Sequence, residues 1–129
     1  MFQTLTAQVN IQGHLLLVVP ALESALLSDF RLIDWNLKSG LSPAASVRCG
    51  FNNNSDSSSR LAQGIVETGD VPTKHYLKEE LLVLLKDLNF KILSAQKVEY
   101  DWSTEFTAPP QWMKEPYPWD WLIIAQKSR

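Results

Sequence analysis

The sequence is poor in cysteine, glycine and clustered charge, and each shortage removes a class of function. Cys49 is the only cysteine, so the chain can form no internal disulfide, and its Cys and His residues do not stand at zinc-ligand spacing. A reduced, cytoplasmic setting is expected, with Cys49 a small packed residue rather than a nucleophile. The five glycines, at 13, 40, 50, 64 and 69, include no pair close enough for a phosphate-binding turn. The Lys and Arg residues never adjoin and the net charge is −2, which leaves no footprint for nucleic acid or an anionic membrane surface. The most apolar stretch, Leu15 to Leu27, contains Pro20, Glu23 and Ser24 and is too short and polar to span a bilayer. The opening MFQTLTAQ lacks the positive region of a signal peptide. There is also no Gly-x-Ser-x-Gly elbow for a hydrolytic serine.

What remains suffices for one domain with a core: 129 residues, 45% of them hydrophobic. Phe2, Leu5 and Val9 lie on one face of a short helix that ends in the turn 10–13. HLLLVVP, His14 to Pro20, is almost uniformly apolar, the pattern of a strand covered on both faces as in a parallel sheet. Pro20, with no N–H, should end its ladder. Leu22, Leu26, Phe30, Ile33 and Leu37 then follow helical spacing, with Gly40 placed to cap the helix. Asn52 to Ser59, NNNSDSSS, has nothing to drive burial and reads as a flexible polar loop. In HYLKEELLVLLKDLNF, Leu77, Leu81, Leu84, Leu85 and Leu88 share a helix face. Their burial is worth roughly 10 kcal/mol before ordering costs. Asn89 suits the left-handed residue that stops such a helix. Two strands follow, Lys91 to Tyr100 and Trp121 to Gln126.

The connection between those two strands is heavy. From Tyr100 to Trp121 it carries seven aromatic residues and four prolines, far more than a simple reversal of direction needs, which suggests a built wall or lid. Trp102, Phe106 and Trp112 in this loop, with Trp35 and Tyr76 elsewhere, are candidates to wall a substrate site, since aromatic faces stack on planar or cationic groups. Asp101, Glu105 and Asp120 place negative charge among the rings, which favours a basic or amine-bearing ligand. Glu23 and Ser24 stand just past the end of an apolar strand, where ligands meet the carboxyl ends of parallel strands. They are candidates for substrate contact. His75 is the candidate general base, because an imidazole titrates near neutrality.

NIQGHLLLVVPALES resembles the fifth-strand region of class I S-adenosylmethionine-dependent methyltransferases, and HYLKEELLVLLKDLNFKILSAQKVEYDW resembles their last helix and sixth strand, with Asn89 where a glycine is usual. WDWLIIAQK resembles the seventh strand, which in that family runs antiparallel between the fifth and sixth. The resemblance implies an α/β fold, a partial Rossmann-like methyltransferase sheet of the last three strands flanked by helices. It implies a methyltransferase acting on a small-molecule methyl acceptor, with S-adenosylmethionine as cofactor of the complete enzyme. The Gly-rich turn and the acidic ribose ligand of the family's N-terminal half have no counterpart here. The chain is therefore expected to be a C-terminal, substrate-side portion, from a truncated or split enzyme or a natural half, binding no cofactor alone. Losing a neighbouring strand would leave the edge of the His14 strand open for a complementary chain or a second copy. The alternative is a non-catalytic interaction module that uses the aromatic loop and the open edge. No nucleic acid or membrane partner is expected.

Overall fold

A computed structural model describes residues 2–50, 57–68 and 70–128. In chain order the elements are α1 (Phe2–Ala7), β1 (His14–Pro20), α2 (Leu22–Lys38), α3 (Pro43–Gly50), α4 (Ser57–Ala62), β2 (Ile65–Thr68), β3 (Val71–Lys74), α5 (Lys78–Asp87), β4 (Phe90–Glu99) and β5 (Trp119–Lys127). The fold is mixed α/β: a three-stranded sheet in the order β1-β5-β4, and a β2–β3 hairpin. β5 runs antiparallel to both neighbours, so β1 and β4 point the same way. The last strand is central and antiparallel, the placement that the resemblance of WDWLIIAQK implied.

Alternation decides which side of the sheet is buried. Leu17 and Val19 of β1 and Trp121, Ile123 and Ala125 of β5 face Leu81 and Leu85 of α5, which have no exposed surface, and Phe90 completes this core. Of the five leucines expected on one face, Leu84 and Leu88 are half-buried and Leu77 is exposed, because Leu77 precedes the helix as its cap. Its N–H instead donates to the Glu80 carboxylate, 3.3 Å away. Asn89 takes the predicted left-handed conformation, φ 67°, and Gly40 does the same after α2, φ 95°.

The expectation that β1 is covered on both faces is corrected. Its pattern alternates, with Leu16 68% and Val18 55% exposed on the side opposite α5. Beside them on this outer face lie the half-buried Leu122 and Ile124 of β5, cross-strand partners of Val18 and Leu16. A run of apolar residues did not mean two buried faces, because among the described residues no helix lies over the second one. Pro20 does not end the ladder either. It remains opposite Asp120, and its carbonyl accepts the Tyr76 N–H at 2.8 Å. A residue's N–H and C=O point to the same side of a strand, so the missing N–H of Pro20 faces away from β5, where the ladder does not need it. By the same alternation the backbone groups of Leu16 and Val18 point to the open edge of β1.

α2 also departs from expectation. Leu22 is buried and Leu27 packs on the core, whereas Leu26, Phe30 and Leu37 of the predicted stripe are exposed. Only the start of this helix rests on the sheet; farther along, it meets α3 and the aromatic loop. Phe2 of α1 and Val9, two residues past its end, reach the core, but Leu5 is exposed. Of the predicted polar loop, residues 52–56 lie outside the described residues, and Ser57 to Ser59 belong to α4. The β2–β3 hairpin was not anticipated, although Gly-Asp between two β-prone runs is a turn signal.

Truncating Leu85 to Ala should lower the unfolding free energy by about 2–5 kcal/mol in urea denaturation, because a wholly buried leucine leaves a cavity. Val83→Ala, on the exposed side of the same helix, should change it by no more than about 0.5 kcal/mol.

Candidate functional site

At the carboxyl end of β1 the chain turns into α2 through Ala21, and a cleft of about 420 Å³ opens there. One wall is a single face of α2, made by Ser24, Ser28, Asp29 and Leu32, which helical spacing brings together. The hairpin contributes Val66, Glu67 and Thr68, the aromatic loop Thr104, Glu105 and Phe106, and the start of β5 Trp119 and Asp120. His75, between β3 and α5, also lines the cleft. It is fixed through the backbone: its N–H donates to the Gly64 carbonyl at 2.7 Å. Only glycine fits that contact, since Gly64 has φ 77° and a Cβ there would lie 2.5 Å from the His75 carbonyl oxygen.

Acidic groups dominate the chemistry of the cleft. Burial pushes the Asp29 carboxyl up to about 6 from its usual 3.8. Burial also raises the Glu105 carboxyl, a nearby His75 opposes that rise, and Asp120 adds to it. The other two carboxylates are engaged. Glu67 pairs with Arg60 at 2.7 Å, and Asp120 accepts the Tyr100 hydroxyl at 2.7 Å. His75 Nδ1 lies 3.1 Å from the Thr73 carbonyl oxygen. A carbonyl can only accept, so this contact is a hydrogen bond in the forms of His75 that carry a proton on Nδ1.

Of the residues singled out from the sequence, His75, Ser24, Phe106, Glu105 and Asp120 are brought together in the cleft. Ser24 is also a structural pin, buried with its Oγ accepting the Trp119 N–H at 2.8 Å. Glu23 does not line the cleft; its carboxylate accepts the Lys78 N–H at 3.0 Å and the Trp121 indole N–H at 3.1 Å. It thus caps α5, where negative charge meets the positive helix end.

The expected aromatic wall is mostly anchor. Trp102 has no exposed surface, and its indole N–H donates to the Lys114 and Pro116 carbonyls at 3.0 and 3.1 Å. Arg31 lies 5.5 Å above that ring and donates to the carbonyls of Lys114 and Glu115, both at 2.8 Å. Phe106 stacks on Trp102, and Trp35 meets the edge of Phe106 from α2. Tyr76 stacks on Phe2 and bridges to Ala21 outside the cleft. Trp112 is exposed, with the Lys38 ammonium 4.0 Å over its ring. Sequence reasoning missed Asp29, Ser28, Glu67 and Trp119. The i, i+4 recurrence of Ser24 and Ser28, with Asp29 beside them, was a readable polar stripe, whereas Glu67 required the hairpin.

Asp29 holds its proton more tightly folded than unfolded. Its contribution to stability is full below about pH 3.8, falls as pH rises through about 6, and has been lost at neutral pH. Asp29→Asn should therefore stabilise the protein by on the order of 1–3 kcal/mol near pH 7.5, the gain vanishing near pH 4, as measured by denaturant unfolding. The chain matches no protein-family model, no curated protein and no solved structure.

Proposed function

We propose that the chain is the substrate-side, C-terminal portion of a class I S-adenosylmethionine-dependent methyltransferase, with the cleft at the end of β1 as its acceptor site. The observation that carries this reading is the sheet order β1-β5-β4 with β5 antiparallel in the centre, the arrangement of that family's last three strands. The cleft lies at the carboxyl end of β1, where open α/β sheets bind their ligands.

The residues present do not fit the cofactor itself. β1 enters α2 through Ala21, without the glycines that let a backbone approach a nucleotide closely. On this reading the cofactor is held by further polypeptide. Support for its docking place comes from the open edge of β1 and from the exposed Leu16 and Val18 beside it. Natural edges are usually protected by charge, proline or a bulge. From His14 to Val19 this edge has none of these.

The same edge favours a second reading, a non-catalytic module that holds a partner by strand addition. The two readings part on the cofactor. Titration calorimetry of this chain with S-adenosylmethionine should give no saturable heat, and binding at about 1 μM would overturn the assignment of the cofactor to further polypeptide. Joined to the polypeptide encoded upstream, the chain should bind the cofactor and transfer methyl groups. An upstream region without a strand followed by a Gly-rich turn would leave the module reading standing. In light scattering, association through the edge should be lost on Val18→Lys; a clean monomer of the parent chain at micromolar concentration would count against edge pairing.

A further inference from the structure

We propose that the cleft at the carboxyl end of β1 binds an organic cation, a protonated amine or guanidinium carried on an apolar frame, with Asp29 and Glu105 as its counter-charges. The inference deepens the acceptor-site reading above by naming the class of ligand, and rests on it only in calling that ligand the acceptor.

Three observations converge. The cleft collects carboxylates from four separate elements, and the pairing within it is uneven. Glu67 has Arg60, and Asp120 has the Tyr100 hydroxyl. Among the described residues Asp29 and Glu105 have no ion pair or hydrogen-bond partner, and both are raised chiefly by burial, with His75 opposing the rise at Glu105. A half-buried carboxylate without a partner, Asp29, beside a second that is exposed yet partly desolvated, Glu105, is a standing cost unless a positive group enters.

The apolar surface of the same cavity comes from Leu32, Val66 and the Phe106 ring, which suit a hydrocarbon frame and a cation over an aromatic face. Phe106 is held against Trp102, itself buried and clasped by Arg31. This wall is therefore preformed rather than assembled on binding.

The third observation is Trp119. It lines the cleft, is only 8% exposed, and its indole N–H has no acceptor among the described residues. An unmet buried donor costs about 1–3 kcal/mol; the nitrogen itself has almost no accessible surface, so a ligand carbonyl or hydroxyl would relieve it only by entering beside the ring. A bare metal ion fits poorly. Among the described residues no three His, Cys, Asp or Glu side chains are placed to hold one, whereas an extended cation can reach separated carboxylates.

The test uses the chain alone, without cofactor or second polypeptide, so its outcome is independent of calorimetry with S-adenosylmethionine. The probes are 4-(aminomethyl)benzamide, which carries cation, ring and carbonyl, and 4-(hydroxymethyl)benzamide, its neutral counterpart. Followed by heteronuclear NMR near pH 7.5, the amine should saturate and shift the amides around Asp29, Glu105 and Phe106, and it should bind at least about tenfold more tightly than the alcohol. The double variant Asp29→Asn, Glu105→Gln should abolish that preference while leaving the alcohol unaffected. It is expected to fold, since both exchanges keep the side-chain shape and neither residue is fully buried. Equal binding of the two probes would overturn the proposal. So would retention of the preference in the double variant, or no saturable amine binding up to about 10 mM.

Discussion

Two neighbouring side chains at the start of α2 hold the end of the sheet together. Glu23 accepts one hydrogen bond from the first turn of α5 and another from the Trp121 indole, and Ser24 accepts the first N–H of β5 from inside the core. These bonds tie α2, α5 and β5 at the place where β1 stops. Hydrogen bonds to a charged group contribute about 1.5–3 kcal/mol each, and here their geometric effect matters as much. They fix α2 at its base only, so the helix departs from the sheet and leaves a wedge. The hairpin and the aromatic loop close that wedge into the cleft.

The aromatic loop serves the same purpose from the other side. Tyr100 donates its N–H to the Pro118 carbonyl at 2.9 Å, closing the base of the loop. Inside it, Trp102 fills the interior and the Arg31 side chain binds successive carbonyls from α2. The loop is thus folded around an indole and stitched to a helix eighty residues earlier in the chain. That rigidity lets it present Phe106 and Glu105 to the cleft without a regular element to support them. The electrostatic consequence is a site that sacrifices stability at neutral pH, as functional sites commonly do.

Much of the fold was legible in particular residues. The leucines of α5 and the left-handed Asn89 follow from local periodicity and backbone preference, as do the strands around Ile92 and Ile123. The heavy connection from Tyr100 to Trp121 was legible as something built. Less legible was which of its aromatics would face a ligand, because ring chemistry is the same in an anchor as in a wall. Trp102 became the anchor because Lys114, Glu115 and Pro116 fold over it, and Phe106 and Trp119 were left at the cleft. β1 shows the same limit: HLLLVVP fits equally a strand with two covered faces and one with a single covered face, and Leu16 and Val18 proved to be on the open side.

The sequence by itself determined the leucine face of α5, the left-handed stops at Gly40 and Asn89 and the strands β4 and β5, since these depend on residues a few positions apart. Tertiary structure decided which of the candidate residues share a site. Asp29, Glu67, Glu105 and Asp120 are scattered along the chain in four unlike settings, and nothing local marks them as neighbours. They meet because the ends of α2, the hairpin, the loop and β5 are packed onto one end of the sheet, and it is the burial created by that packing that raises the carboxyls of Asp29 and Glu105.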